Sequence, residues 1–491
     1  MEAQPRNYIY SVLFLVALVV IILEGLRLVN DMASDDLNLK KVNSYSVEKK
    51  DSLSKKQSFS AMIDTLFPAP GKPKSDVSLL EERSSTETKD VVDDNKPEID
   101  NKSEINNQPE IDNQLGIVKF NDYSENRDGL RLFFEKLLNI ETLNRPVRIA
   151  FFGDSFIEGD ILSSDLRRLF QENFGGGGVG MMPVTSQVSG FRKTVVHQFS
   201  AWNTYSFNNY SDKSALGICG SVSTPNNNAW VYYQGVKKDR LNSWNRVSVF
   251  YALPDNNTRI FYKKNKGASV YANLPKSENI GRVDIKGGCA NIQISFPPVN
   301  NLYVYGVSLE DSTGVILDNY SIRSFSGTGL LHIPQKKLSQ FNSLLQYDLI
   351  ILGYGLNVAE AKRTDYKTYE TEMVKTVNHL KESFPNTSIL LVGVPDRSYK
   401  ENGDYETMPG VLAMIEHQKN ICKKSGIVFW NLFEAMGGKN SMPLFVNSNP
   451  PKANKDYTHL TFAGGEYLGN LLYETFMYEK EAYEKKFSMV K

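Results

Sequence analysis

From residue 115 onward the chain alternates between two hydrophobic textures. Residues 147–152 form a short, largely apolar run closed by Gly153, Asp154 and Ser155, the pattern of a buried strand entering a turn. Past that turn, Ile161, Leu162, Leu166, Leu169, Phe170 and Phe174 recur at helical spacing until the glycines at 175–178 stop them. Residues 131–140 carry the same helical spacing and end before Pro146. Beyond Pro183 the texture changes. Short β-branched and aromatic runs at 229–233, 246–251, 258–262, 281–285, 291–296 and 302–309 are separated by Asn, Gly and Pro turns. Strands at that spacing without helices between them predict a β-sandwich. The α/β alternation then resumes. Strands are predicted at 314–317, 348–352, 388–394 and 427–431, and helices at 366–384, 408–424 and 464–476. The β region therefore reads as an insertion within an α/β domain.

The first 114 residues lack such a core pattern. Residues 8–23 are an uncharged apolar run that Gly25, Leu26 and Leu28 extend past Glu24, with Arg6 ahead of it. That approaches the roughly 20 residues needed to cross a bilayer, and no A-x-A-like cleavage pattern follows. An uncleaved signal anchor is the expectation, with a cleaved signal peptide as the alternative; either places the bulk of the chain outside the cytoplasm. Residues 30–114 are polar, nearly free of aromatics and carry a degenerate repeat around Ile99, Ile105 and Ile111. Such a segment buries too little apolar surface to offset its ordering entropy, so it reads as a disordered tether. At roughly 5–6 Å × √n, about 80 residues span about 50 Å.

Composition adds exclusions. Lys and Arg total 56 and Asp and Glu total 56, so no basic surplus favours nucleic acid. Three cysteines, Cys219, Cys289 and Cys422, are too few for a disulfide framework or metal knuckle; a Cys219–Cys289 bridge and two free thiols both remain open.

Three places can carry chemistry. Ser155, at a strand–helix junction, would project its Oγ from the carboxyl edge of a sheet and place its N–H at a helix N-terminus, although Gly-Asp-Ser is equally a capping turn. Asp456 lies three residues before His459 on one loop, so the acid can orient the base that a serine needs. The other histidines, His197, His332, His379 and His417, have no acid in a comparable arrangement. Gly353-Tyr354-Gly355-Leu356-Asn357 ends a hydrophobic strand in glycines followed by an amide, which can donate to an oxyanion or simply cap a turn.

Taken in order, Gly153-Asp154-Ser155, Gly355-Leu356-Asn357 and Asp456-Tyr457-Thr458-His459-Leu460-Thr461 resemble the sequence blocks of the SGNH (GDSL) hydrolase family. The resemblance spans about 115–476 without the β region. It implies a flavodoxin-like three-layer α/β fold, Ser155 as nucleophile, His459 as base and Asp456 as its orienting acid. It further implies an oxyanion hole formed by the Ser155 backbone, the Asn357 side chain and a glycine after the second strand. Gly327 is the choice for that glycine and Gly329 its competitor, far downstream of Ser155 because of the insertion. Val358 stands where the family often has an acidic residue. No metal or organic cofactor is implied.

The expected organisation is a cytoplasmic stub and transmembrane anchor at 1–29, a linker at 30–114 and the first hydrolase segment at 115–182. An inserted carbohydrate-binding-like sandwich follows at 183–312, then the second hydrolase segment at 313–480 and a tail at 481–491. An exported, anchored member of this kind is similar to bacterial peptidoglycan and polysaccharide O-acetylesterases. Removal of O-acetyl groups from an envelope glycan is therefore the expected activity, on the outer side of a bacterial inner membrane. Two rivals stand beside it. One is an O-acetyltransferase using the same acyl-serine with a membrane acetyl-donor partner, and the other a non-catalytic glycan-binding protein. Trp202, Tyr205, Trp230, Tyr232, Tyr233 and Trp244 can stack on sugars, though core packing is the commoner role for such residues.

Overall fold

The computed structural model describes residues 111–112, 116–238 and 240–488. The apolar segment at 8–28 and nearly all of the predicted linker lie outside them. Among the described residues no helix is long and apolar enough to cross a membrane.

In chain order the principal elements begin with β1 (Asn121–Asp122), α1 (Arg131–Leu138), β2 (Val147–Gly153) and α2 (Ser163–Phe174). The β region contributes β3 (Gly178–Met182), β4 (Val195–Ser206), β5 (Ser221–Gly235), β6 (Trp244–Leu253) and β7 (Thr258–Lys264). It continues with β8 (Val270–Leu274), β9 (Ser277–Cys289), β10 (Asn291–Phe296) and β11 (Tyr303–Glu310). Then come β12 (Val315–Ser321), α3 (Gln335–Leu345), β13 (Leu349–Gly353), α4 (Lys367–Ser383) and β14 (Ser388–Val392). The last are α5 (Pro409–Ser425), β15 (Val428–Trp430) and α6 (Phe462–Ser488).

One sheet has the order β12-β2-β13-β14-β15-β1, parallel except for β1. Its central strands are buried on both faces, which is why they read as largely apolar runs, Arg148 being the charged exception in β2. Phe133, Phe170 and Phe476 meet at ring separations of 5.6–6.1 Å and bind α1, α2 and α6 into one helical layer. Helices α3, α4 and α5 pack side by side as the other. Counting from β2, the parallel strands lie in the order 2-1-3-4-5, so the chain leaves β2 toward β12 on one side and later reaches β13 on the other. That reversal point, at the carboxyl ends of β2 and β13, is where open α/β sheets bind ligands.

The β region is a two-layer sandwich inserted between α2 and β12. Its strands form one nine-stranded sheet, β8-β7-β10-β5-β11-β6-β9 with β3 added on β11 and β4 on β5. Where Val304 of β11 pairs with Ser223 of β5 the sheet folds into two layers, β3-β11-β6-β9 and β4-β5-β10-β7-β8, closed around Val231, Tyr233, Val249, Ile292, Ile294 and Val307. Pairing of β3 with β11 starts the sandwich at Gly178, five residues before the boundary read from the sequence. The outer face of the first layer is not free. Met181, Phe250, Ala252 and Tyr305 join the core of the α/β domain.

A buried charge network crosses the same seam. Arg148 on β2 donates to Glu310 of β11 at 2.6 Å and to Asp318 of β12 at 3.1 Å, and Arg246 of β6 donates to Glu310. Asp318 also accepts from the Met181 N–H of β3 and the Tyr347 hydroxyl. Burial opposes charging Glu310, but the Arg148 and Arg246 guanidiniums bring its carboxyl down to about 2.

One boundary needs correction and two open readings are decided. Helix α6 runs to Ser488 and takes in most of the residues expected to form a tail. All three cysteines are free thiols, so no Cys219–Cys289 bridge is present. Tyr233 and Trp244 are core residues, whereas Trp202, Tyr205, Trp230 and Tyr232 are half-buried.

Candidate active site

Ser155 follows β2 directly, but no α-helix starts there. Residues 154–160 form a tight turn ending in a single 3₁₀ turn (Glu158–Asp160), and α2 begins only at Ser163. The reason lies in the backbone: Asp160 and Leu162 both hold left-handed φ values of 68° and 66°, which break a helix and cost about 1–2 kcal/mol apiece. The N–H of Ser155 therefore owes its donor character to the turn rather than to a helix dipole. It has no protein acceptor among the described residues.

Buried groups hold this turn in place. Asp154 accepts from the Phe156 N–H at 2.9 Å, and Asn319 of β12 donates to Ile157 O and Ser163 Oγ. Asp160 is fully buried and takes guanidinium bonds from Arg167 of α2 and Arg192 of the insert, plus the Thr194 hydroxyl. Burial works against its ionisation, yet the two arginines keep its carboxyl well below the usual carboxylate range.

The second loop of the candidate site precedes α6. Asp456 Oδ1 accepts the N–H groups of Thr458 and His459, both at 3.0 Å, while Oδ2 meets His459 Nδ1 at 2.7 Å. The two-residue gap between acid and base thus lets one carboxylate cap its own loop and orient the ring, with Tyr457 between them at φ 55°. With Nδ1–H given to Asp456, His459 Nε2 is an acceptor, and it lies 3.0 Å from Ser155 Oγ. Burial tends to raise the Asp456 carboxyl, but its bonds to His459 hold it below the ordinary value.

The remaining predicted residues converge on the same place. Gly327 follows β12 at φ 92°, where a side chain would be strained and would strike the Tyr354 ring at 2.5 Å. Gly329, its competitor, lies within the following 3₁₀ turn. The Gly327 N–H, like that of Ser155, has no protein acceptor among the described residues. Asn357 differs from expectation in one respect. Its amide nitrogen donates to Asp154 Oδ2 at 2.8 Å and to Phe325 O at 3.3 Å, so it must release the longer bond to serve an oxyanion.

Asp154 is the site residue whose role the sequence left unread. Its carboxylate links the serine turn to Asn357, and burial pushes its carboxyl up to about 6 despite those hydrogen bonds. Because the folded value exceeds the unfolded one, the native state binds more protons between about pH 4 and 6, and stability falls as pH rises through that window. Asp154→Asn removes this dependence. Relative to the parent, its unfolding free energy is expected to gain up to about 3 kcal/mol between pH 4 and pH 7.5, read by denaturant titration at both pH values.

The other described histidines have structural partners. Burial pushes His197 down to about 4 as it bonds Val184 O, His379 bonds Ile333 O and His417 pairs with Glu370. His332 ends the 3₁₀ turn after Gly327.

No family model matches this sequence, and no curated protein does. Solved structures do. One described as a peptidoglycan O-acetylesterase in action aligns with a TM-score of 0.61 at 20% identity, over 74% of this chain and 99% of its own. A family two carbohydrate esterase from Cellvibrio japonicus aligns with a TM-score of 0.25 at 10% identity, over 58% of this chain and 99% of its own. An acetyl xylan esterase aligns at 0.25 and 14% identity, over 33% and 80%. The α/β domain with its β insert thus has the architecture anticipated from the SGNH resemblance, and the chain shares its fold with the peptidoglycan O-acetylesterase structure over nearly all of that protein's length.

Proposed function

We propose that this protein is a serine esterase of the SGNH type that removes O-acetyl groups from a cell-envelope glycan. The observation that carries the reading is the continuous line from Asp456 Oδ2 through the His459 ring to Ser155 Oγ, at 2.7 and 3.0 Å. Ser155 Oγ attacks the acetyl carbonyl carbon while its proton passes to His459 Nε2. The oxyanion takes hydrogen bonds from the Ser155 and Gly327 N–H groups and from Asn357 once that amide leaves Phe325 O. Collapse expels the sugar oxygen, which takes the proton back from His459. Water then attacks the acyl-serine, giving a proton to His459; collapse of this second intermediate breaks the bond to Ser155 Oγ, which takes that proton back from His459, and acetate departs. Asp456 stays ionised and supports the imidazolium at each stage.

The glycan substrate rests on the fold shared with the peptidoglycan O-acetylesterase, and the position outside the membrane on the apolar segment at 8–28. The test is acetate release by the full-length protein from O-acetylated peptidoglycan and acetylated xylan, with and without a deacetylated glycan acceptor. Release of acetate, abolished by Ser155→Ala, is expected. Acetyl groups recovered on the acceptor instead of as acetate would reassign the protein as a transferase using a membrane acetyl donor. No acetyl loss from any glycan would overturn the substrate class.

A further inference from the structure

We propose that Phe191, carried by the inserted β module, is a specificity-determining residue whose ring flanks the acetylated sugar beside Ser155. This rests on the glycan esterase reading above and names a contact for that substrate. The ring touches the turn that follows Ser155 and the first residue of α6, where the loop bearing His459 ends. On one side it covers Gly159, four residues after Ser155, so closely that a Cβ there would lie 2.5 Å from it. On the other it meets Phe462, three residues after His459, at a centroid distance of 5.2 Å. Phe462 is itself backed by the Lys193 ammonium 3.7 Å from its centroid. Despite these contacts Phe191 remains 49% exposed, so one part of the ring is fixed against the two loops and the rest is presented to solvent at their junction.

The segment bearing it is built to be rigid. The N–H groups of Phe191 and Arg192 both donate to Val188 O at 3.0 Å. The Arg192 guanidinium and Thr194 hydroxyl are tied to Asp160, inside the α/β domain. An aromatic ring held with little freedom to lose is suited to packing against the apolar C–H face of a sugar, since binding then immobilises few rotors. A small aryl acetate reaches the serine without using such a platform. The insert would thus shape the cleft itself through one residue next to the triad.

The experiment compares kinetics on soluble O-acetylated peptidoglycan fragments and on p-nitrophenyl acetate for the full-length parent, Phe191→Ala and Phe191→Trp. Phe191→Ala is expected to raise KM for the fragments about tenfold, with kcat/KM for the aryl ester within about twofold of the parent, and Phe191→Trp to restore the fragment KM. An unchanged fragment KM in Phe191→Ala overturns the proposal while leaving the esterase reading intact. Equal losses on both substrates also overturn it, because they assign the ring a purely structural role. A parent that cleaves the aryl ester but releases no acetate from the fragments overturns the substrate reading, and the proposal with it.

Discussion

Alanine at His459 is expected to lower kcat for ester hydrolysis by a factor of about 10⁴–10⁶ while KM stays within a few-fold. The serine hydroxyl is a poor nucleophile unless its proton is taken as it attacks, and Nε2 of this ring lies 3.0 Å from it, placed to take that proton. Asp456→Asn should cost less, about 10²–10⁴, because the amide oxygen can still cap the Thr458 and His459 N–H groups even though the ring loses its anionic partner. Steady-state kinetics on a chromogenic acetate ester separates the two. Equal and small losses would mean that the serine is activated by something other than this ring.

The second large effect is on stability. Arg148→Met is expected to destabilise the fold by about 3–5 kcal/mol, since it leaves buried Glu310 with Arg246 alone and buried Asp318 without a cationic partner among the described residues. Neutralising the stranded acids in the same background, with Glu310→Gln and Asp318→Asn, should recover a substantial part of that loss. Equilibrium unfolding of the three proteins provides the check, and a loss below about 1 kcal/mol for Arg148→Met would contradict the account. Because the network joins β2, the strand that delivers Ser155, to β6 and β11 of the sandwich, the same substitution should loosen the insert from the catalytic sheet.

These two results involve features of very different visibility in the sequence. The two halves of the Asp456–His459–Ser155 line were legible because each obeys a local rule: a strand ending in a turn fixes Ser155, and a three-residue offset lets Asp456 hold His459; their meeting was anticipated from the family resemblance. The parallel strands were legible for a related reason, since burial on both faces leaves unbroken apolar runs such as those at 349–352 and 389–392. Strand β4 was not. Its alternation of buried and exposed residues is broken at Ala201, where φ is 63° and the pairing with β5 slips, so no clean two-residue period survives.

The charge networks were hidden for a deeper reason. Arg148 interrupts an apolar strand, and nothing local announces that Glu310, 162 positions away, will meet it. Likewise Asp160 braces the serine turn through Arg192 only once the insert has folded back on the α/β domain, and Asn319 does so only once β12 has paired with β2. Asn357 lies between these cases. Its position after the third parallel strand follows from the sequence, but its engagement with Asp154 and Phe325 does not.

The claim on which the rest depends is that Ser155 is the nucleophile. Treatment of the full-length protein with a fluorophosphonate, followed by peptide mapping, tests it most directly. A single phosphonyl adduct on Ser155, lost in His459→Ala, is expected; an adduct on another residue, or none on protein that hydrolyses acetate esters, would rule Ser155 out as the nucleophile.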